Sequence, residues 1–168
     1  VDIAGFDAAM EKQRAEARAK WSGSGEEVTE TVWFNLRNTH GATEFVGYTA
    51  TQAEGVVQAI RADGDLVAAA TTGQQIDLII NQTPFYAESG GQVGDTGVVT
   101  NDVGLEIAVT DTHKKLGDLH VLSGEIKAGT LEEGAPVYQN VDHVRRGHVR
   151  AHHSATHLLH EALRRVLG

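Results

Sequence analysis

Near its C-terminal end the sequence reads His153-Ser154-Ala155-Thr156-His157-Leu158-Leu159-His160, with two imidazoles four residues apart. On a helix, residues i and i+4 are neighbours on one face, so such a pair can grip a single metal ion from one rigid element. A turn of about 100° per residue puts His153, His157, His160 and Arg164 on one stripe and Ala155, Leu158, Leu159, Ala162 and Val166 on the other side. A closed zinc site takes about four ligands. The sequence has no cysteine and runs only to Gly168, so the pair is expected to be half of a site. A zinc peptidase would need Glu directly after the first histidine, and Ser154 stands there. A solvated helix face carrying histidines and no ion explains the same spacing equally well.

A second stretch is rich in residues that loops and ligand sites share: Thr83-Pro84-Phe85-Tyr86-Ala87-Glu88-Ser89-Gly90-Gly91-Gln92-Val93-Gly94-Asp95-Thr96-Gly97. Its glycines allow close approach of backbone to a ligand, or a turn or bulge between two strands. No Lys follows them and no helix is signalled after them, which excludes a phosphate loop. Glu88 and Asp95 could form a catalytic carboxylate pair, although ordinary turn chemistry accounts for both.

The elements that must position these groups follow from periodicity. Phe6, Met10, Ala17 and Trp21 lie at helical spacing, so residues 7–20 are expected to be an amphipathic helix ended by Ser22-Gly23-Ser24-Gly25. Beyond it, runs rich in Val, Ile and Thr alternate with Gly and Asn/Asp turns, and predict strands at Thr31–Leu36, Glu44–Thr51, Val56–Ala62, Leu66–Thr71, Gln75–Asn81, Gly94–Thr100, Leu105–Thr112, Leu119–Ser123 and Val137–Val141. Asp63-Gly64 reads as a hairpin turn. So many short strands with tight turns point to a mainly β fold, a barrel flanked by an N-terminal and a C-terminal α-helix.

At 168 residues the chain suits one domain of ordinary size. No run approaches the roughly 18 apolar residues of a membrane span, and without cysteine no disulfide is possible. The net charge of −9 argues against broad affinity for nucleic acid. An RNA partner would have to meet a local patch, for which Arg145, Arg146, Arg150, Arg164 and Arg165 are candidates. The same five arginines would also suit a plain solvated surface.

The two motifs in this order, TPFYAESGGQVGDTG and HSATHLLHEALRRVLG, resemble the alanyl-tRNA synthetase family where its aminoacylation half meets its editing domain. FDAAMEKQRAEARAKW resembles the helix that precedes this region. The resemblance implies an elongation-factor-like β-barrel over residues 26–142, preceded by a connecting helix and linker over 1–25 and followed by the truncated first editing-domain helix over 143–168. It implies zinc on His153 and His157, with a Cys and a His further downstream completing the site. This chain carries His152 where the family often has Asn. Gly90, Gly91 and Gln92 become candidate contacts to the acylated end of tRNA, with Arg145, Arg146 and Arg150 on its phosphates.

The whole enzyme would use ATP and magnesium in a missing half to attach alanine to alanine-specific tRNA. It would also hydrolyse tRNA mischarged with serine or glycine. This piece is expected to have no activity alone, to partner tRNA and the rest of the synthetase chain, to touch no membrane, and to lie in the cytoplasm. Its apolar helix back is expected to swap between chains or pack in a dimer when isolated. Alternative readings are a fragment of a free-standing alanyl-tRNA editing hydrolase, and a non-enzymatic tRNA-binding barrel, or one using His152, His153, His157 and His160 for an unrelated metal.

Overall fold

The structure, a computed structural model, describes residues 26–88 and 92–167. The expected helix over 7–20, its Ser/Gly breaker, Gly90 and Gly91 lie outside the described residues. Helix α1 (Glu26–His40) leads into β1 (Glu44–Phe45), β2 (Gln52–Ala62), β3 (Asp65–Val67), β4 (Ala69–Thr71), β5 (Gln75–Ile80), β6 (Gln82–Thr83), β7 (Gly97–Thr100), β8 (Glu106–Lys115), β9 (Leu119–Ala128), β10 (Thr130–Glu132) and β11 (Pro136–Val141), and helix α2 (His143–Leu167) follows. Six strands run β11-β7-β8-β9-β5-β2, and β2 pairs back onto β11 to close a barrel. One strand serves both neighbours because β2 is long and irregular. Residues 52–56 pair with β11 and 57–62 with β5, with a register shift between Val57 and Ala59. Closure leaves the ring without an open edge.

Alternation fills the barrel. Ile76, Leu78 and Ile80 of β5 point inward with Val57, Ile60, Val99, Ile107, Leu122, Ile126 and Val137. Ile79 faces outward yet is buried, because α1 covers it: Trp33 and Leu36 pack over Ala59, Ile79, Leu119 and Val121. Two polar contacts fix the helix there. Arg37 donates from Nη2 to Asp118 at 2.6 Å and from Nε at 3.2 Å, holding the Asp118 carboxyl below its ordinary range. The Arg61 guanidinium lies 5.5 Å from the Trp33 ring centre.

The mainly β barrel with flanking helices agrees with the sequence reading, but individual elements differ. Thr31–Leu36, expected as a strand, is the middle of α1. Its Thr, Val and Trp favour strands locally, yet Val32, Trp33 and Leu36 share one helical face, and docking that face on β5 and β9 overrides propensity. Glu44–Thr51 keeps only β1, since the chain turns at Gly47-Tyr48-Thr49. Leu66–Thr71 splits into β3 and β4 around Ala68, and the strand expected from Gly94 starts at Gly97. The hairpin turn lies where expected, with Asp63 at φ 52° and Gly64 at φ 95° joining Ala62 to Asp65.

Candidate functional site

The barrel presents one end of α2 to the glycine-rich segment. Asp142 caps the helix, its Oδ1 accepting from the Arg145 amide at 2.9 Å. One turn in, Arg146 points back into the protein and is buried. Its Nε donates to Asp95 Oδ2 at 2.9 Å, Nη2 donates to the same oxygen and to the Pro84 carbonyl, and Nη1 donates to the Gly47 carbonyl at 3.3 Å. Asp95 is also buried, and its Oδ2 accepts the Tyr86 amide at 2.7 Å. Burying a carboxylate and a guanidinium is offset here because each bonds the other and the backbone around it. Arg145 adds a bond from Nη1 to the Gly94 carbonyl at 2.9 Å. Thus three carbonyls and one carboxylate, from three stretches of chain, fix the start of α2.

The glycine-rich segment is itself tightly packed. Phe85 enters the barrel core, and the Thr83 hydroxyl donates to Gln139 Oε1 at 2.7 Å while accepting the Phe85 amide at 3.2 Å. A Cβ at Gly94 would stand 2.2 Å from the Thr112 carbonyl oxygen, so β8 passes too close for any side chain there. This glycine therefore serves packing between the segment and β8.

Further along α2, His153 and His157 stand beside this segment. A cleft of about 460 Å³ is lined by Gln92, Val93, Val149, His152, His153, Thr156 and His157. The Nε2 atoms of His153 and His157 converge to 3.0 Å. Two nitrogens about 2.0–2.1 Å from a tetrahedral zinc would stand about 3.3 Å apart, close to the separation seen here. The donor set fits zinc as half a site. Among the described residues, the only grouping of three potential ligands is Glu88, Asp111 and His113, and it does not include this pair. In that group, where Glu88 is exposed and the other two are half-buried, the imidazole lies 3.3 Å from Asp111 and 3.7 Å from Glu88.

The remaining candidates divide by environment. Asp95 is locked on Arg146 and Glu88 faces His113, so the two carboxylates have separate partners and do not form a pair of shared chemistry. Arg146 is committed inside, Arg145 is half-buried, and Arg165 bonds Glu161 on the exposed helix at 2.8 Å. Arg150 is exposed and, among the described residues, has no ion-pair or hydrogen-bond partner. Past His157 the apolar back of the helix is open, with Leu158 72 % and Val166 80 % exposed.

Sequence reasoning missed an aromatic cluster beside Arg150. Phe45 meets Tyr48 edge-on at 4.9 Å, Tyr86 at 6.2 Å and His120 at 5.2 Å. No periodicity joins residues so far apart in the chain. His120 is buried against Phe85, whose carbonyl lies 3.2 Å from Nδ1. Loss of hydration holds its pKa below the ordinary 6.5, aided by the charge of Lys114 and opposed by the hydrogen bond.

Residues 1–145 match the family model described as tRNA synthetases class II (A). The chain belongs to this family. Over all 168 residues it is 56 % identical to the alanine–tRNA ligase of Granulibacter bethesdensis, 60 % to that of Rhodopseudomonas palustris and 56 % to that of Rhizobium johnstonii. It spans 19 % of the length of each of these relatives. The resemblance read from the two motifs is therefore borne out. The family match ends at residue 145, within the first turn of α2, whereas the alignments with the relatives include the histidines.

Proposed function

We propose that the chain is the internal β-barrel of an alanine–tRNA ligase, an enzyme that joins alanine to tRNA using ATP and magnesium held elsewhere in the whole protein. The barrel's task is geometric. It carries the glycine-rich segment and the first histidine helix of a hydrolytic editing site, and keeps them in register. The observation that carries this reading is the buried Arg146–Asp95 pair, which ties α2 to the segment and so sets His153 and His157 beside Gln92 and Val93. His153 and His157 would supply two zinc ligands, with the others supplied downstream. With zinc bound there, the two imidazoles would hold a Lewis acid near the ester of mischarged tRNA. Gln92, and with it Gly90 and Gly91, would face the acylated end, while Arg150 and the open side of Arg145 would meet phosphates. Arg146 acts instead through position.

A domain boundary near residue 142 suits this reading, since the family match stops just past it, and a boundary near residue 25 is part of the same proposal. The match also begins at residue 1, and the relatives named above are ligases, which favours a synthetase over a free-standing editor. The exposed Leu158, Leu159 and Val166 would be covered by the rest of the chain, or by a second copy when the piece is isolated.

The test compares this 168-residue chain with the full-length protein for binding of an alanine-accepting tRNA transcript, alanylation, and hydrolysis of seryl-tRNA. The expected result is tRNA binding by both and turnover by the full-length protein alone. Hydrolysis by the chain itself, or absence of alanylation by the whole protein, would overturn the proposal.

A further inference from the structure

Beside the histidine cleft lies a second one, of about 200 Å³, lined by Phe45, Gly47, Tyr48, Tyr86, Gln92, Arg146 and Arg150. Its walls have a composition the fold does not require. Tyr48 is 87 % exposed, a costly place for a large aromatic ring, yet it is held edge-on against Phe45. The turn that carries it is tight: a Cβ at Gly47 would stand 2.3 Å from the Pro84 carbonyl and 2.5 Å from the Phe45 ring. Arg146, bonded to the carbonyls of Gly47 and Pro84, braces this turn from below. The platform is therefore pre-formed by the same buried arginine that orients α2.

Arg150 also lines the cleft with its charge unpaired among the described residues, and no carboxylate is among the lining residues. In a chain of net charge −9, a cleft with only cationic charge selects an anion locally. Its volume is below the roughly 300–1,000 Å³ of drug-sized pockets, which suits one flat ring rather than a peptide. Aromatic faces, a guanidinium and one amide side chain are the means by which proteins hold unpaired bases of single-stranded RNA. Gln92 lines both this cleft and the one holding His153 and His157. A strand with a base in the first can thus run directly toward the second.

We propose that Phe45, Tyr48 and Tyr86 form a stacking site for one unpaired base at the 3′ end of tRNA, with Arg150 on an adjoining phosphate. The proposal rests on the reading of the chain as a tRNA-contacting barrel and adds the place where the single strand is gripped.

The probe is an alanine-accepting tRNA transcript with 2-aminopurine at one unpaired 3′ position at a time, bound to the 168-residue chain and to the full-length protein. One position is expected to lose fluorescence on binding. Tyr48→Ala should restore it and weaken binding roughly 5- to 150-fold. Tyr48→Trp should keep both quenching and affinity. Arg150→Ala should flatten the dependence of log K on log salt by about 0.7–0.9. Tyr48 is on the surface, so its removal leaves the barrel intact, which circular dichroism checks. If wild-type protein binds tRNA but Tyr48→Ala changes neither fluorescence nor affinity, the stacking site is refuted while the tRNA reading stands. If neither wild-type protein binds tRNA at low salt, both fall.

Discussion

Replacing Arg146 by Met removes the group on which the orientation of α2 depends. The side chains of Arg146 and Asp95 are 10 % and 5 % exposed, so water cannot take the lost partner's place. Arg146→Met leaves the Asp95 carboxylate with the Tyr86 amide, and strips a donor from each of the Pro84 and Gly47 carbonyls. Breaking a buried pair from one side costs about 3–5 kcal/mol. With a urea m-value of about 2 kcal/mol/M, the midpoint should fall by about 1.5–2.5 M. Asp95→Asn should cost less, since the amide oxygen still accepts from Tyr86. The double change of Arg146→Met with Asp95→Leu should cost well under the sum of Arg146→Met and Asp95→Leu each made alone, because no charge is left stranded. Urea unfolding followed by circular dichroism measures the cycle. Hydrogen exchange measures the local consequence, a loss of protection over residues 146–150 beyond that in β8 and β9. Additive single effects, or an Arg146→Met protein whose midpoint and α2 protection match wild type, would refute the claim that this pair anchors the helix.

Gly94→Ala should destabilise by at least about 1–3 kcal/mol, the range for overpacking, because its Cβ would collide with the Thr112 carbonyl; thermal unfolding reads this, and a neutral substitution would contradict the close approach. Trp33→Ala should cost about 3–5 kcal/mol and expose Ile79 to solvent, with α1 losing exchange protection before the barrel does. Stability should also fall in acid on account of His120. Its folded pKa lies below the unfolded 6.5, so the unfolded chain binds the proton first. Its contribution is complete above pH 6.5 and is lost as pH falls through the folded value. Urea midpoints at a series of pH values should show that slope in wild type and a flatter one in His120→Gln.

Most of the barrel was legible because half-buried strands leave an apolar period of two in the sequence, as Ile107 and Val109 do. Where a second layer covers a strand, that signal fails: Ile79 breaks the alternation of β5 only because α1 lies over it. The α1 segment was misread for the same reason, since its β-branched residues hide a helical face whose partner lies on distant strands. The histidine pair was visible as a local i, i+4 spacing. The role of Arg146 was not, because its partner Asp95 is 51 residues away and burial reverses the meaning of a surface arginine. The aromatic cleft was hidden likewise, assembled from a turn, a loop and a helix that only the closed barrel brings together.

Zinc content tests the central claim most directly, because the claim assigns half an editing site to this chain and the rest to the protein around it. The 168-residue chain and the full-length protein would be dialysed against the same buffer and their zinc measured per monomer by mass spectrometry. The account predicts about one tightly held zinc in the full-length protein, lost on replacing His153 and His157 by Ala, and far less than one in the isolated chain. A stoichiometric zinc held by a monomer of the 168-residue chain would contradict it.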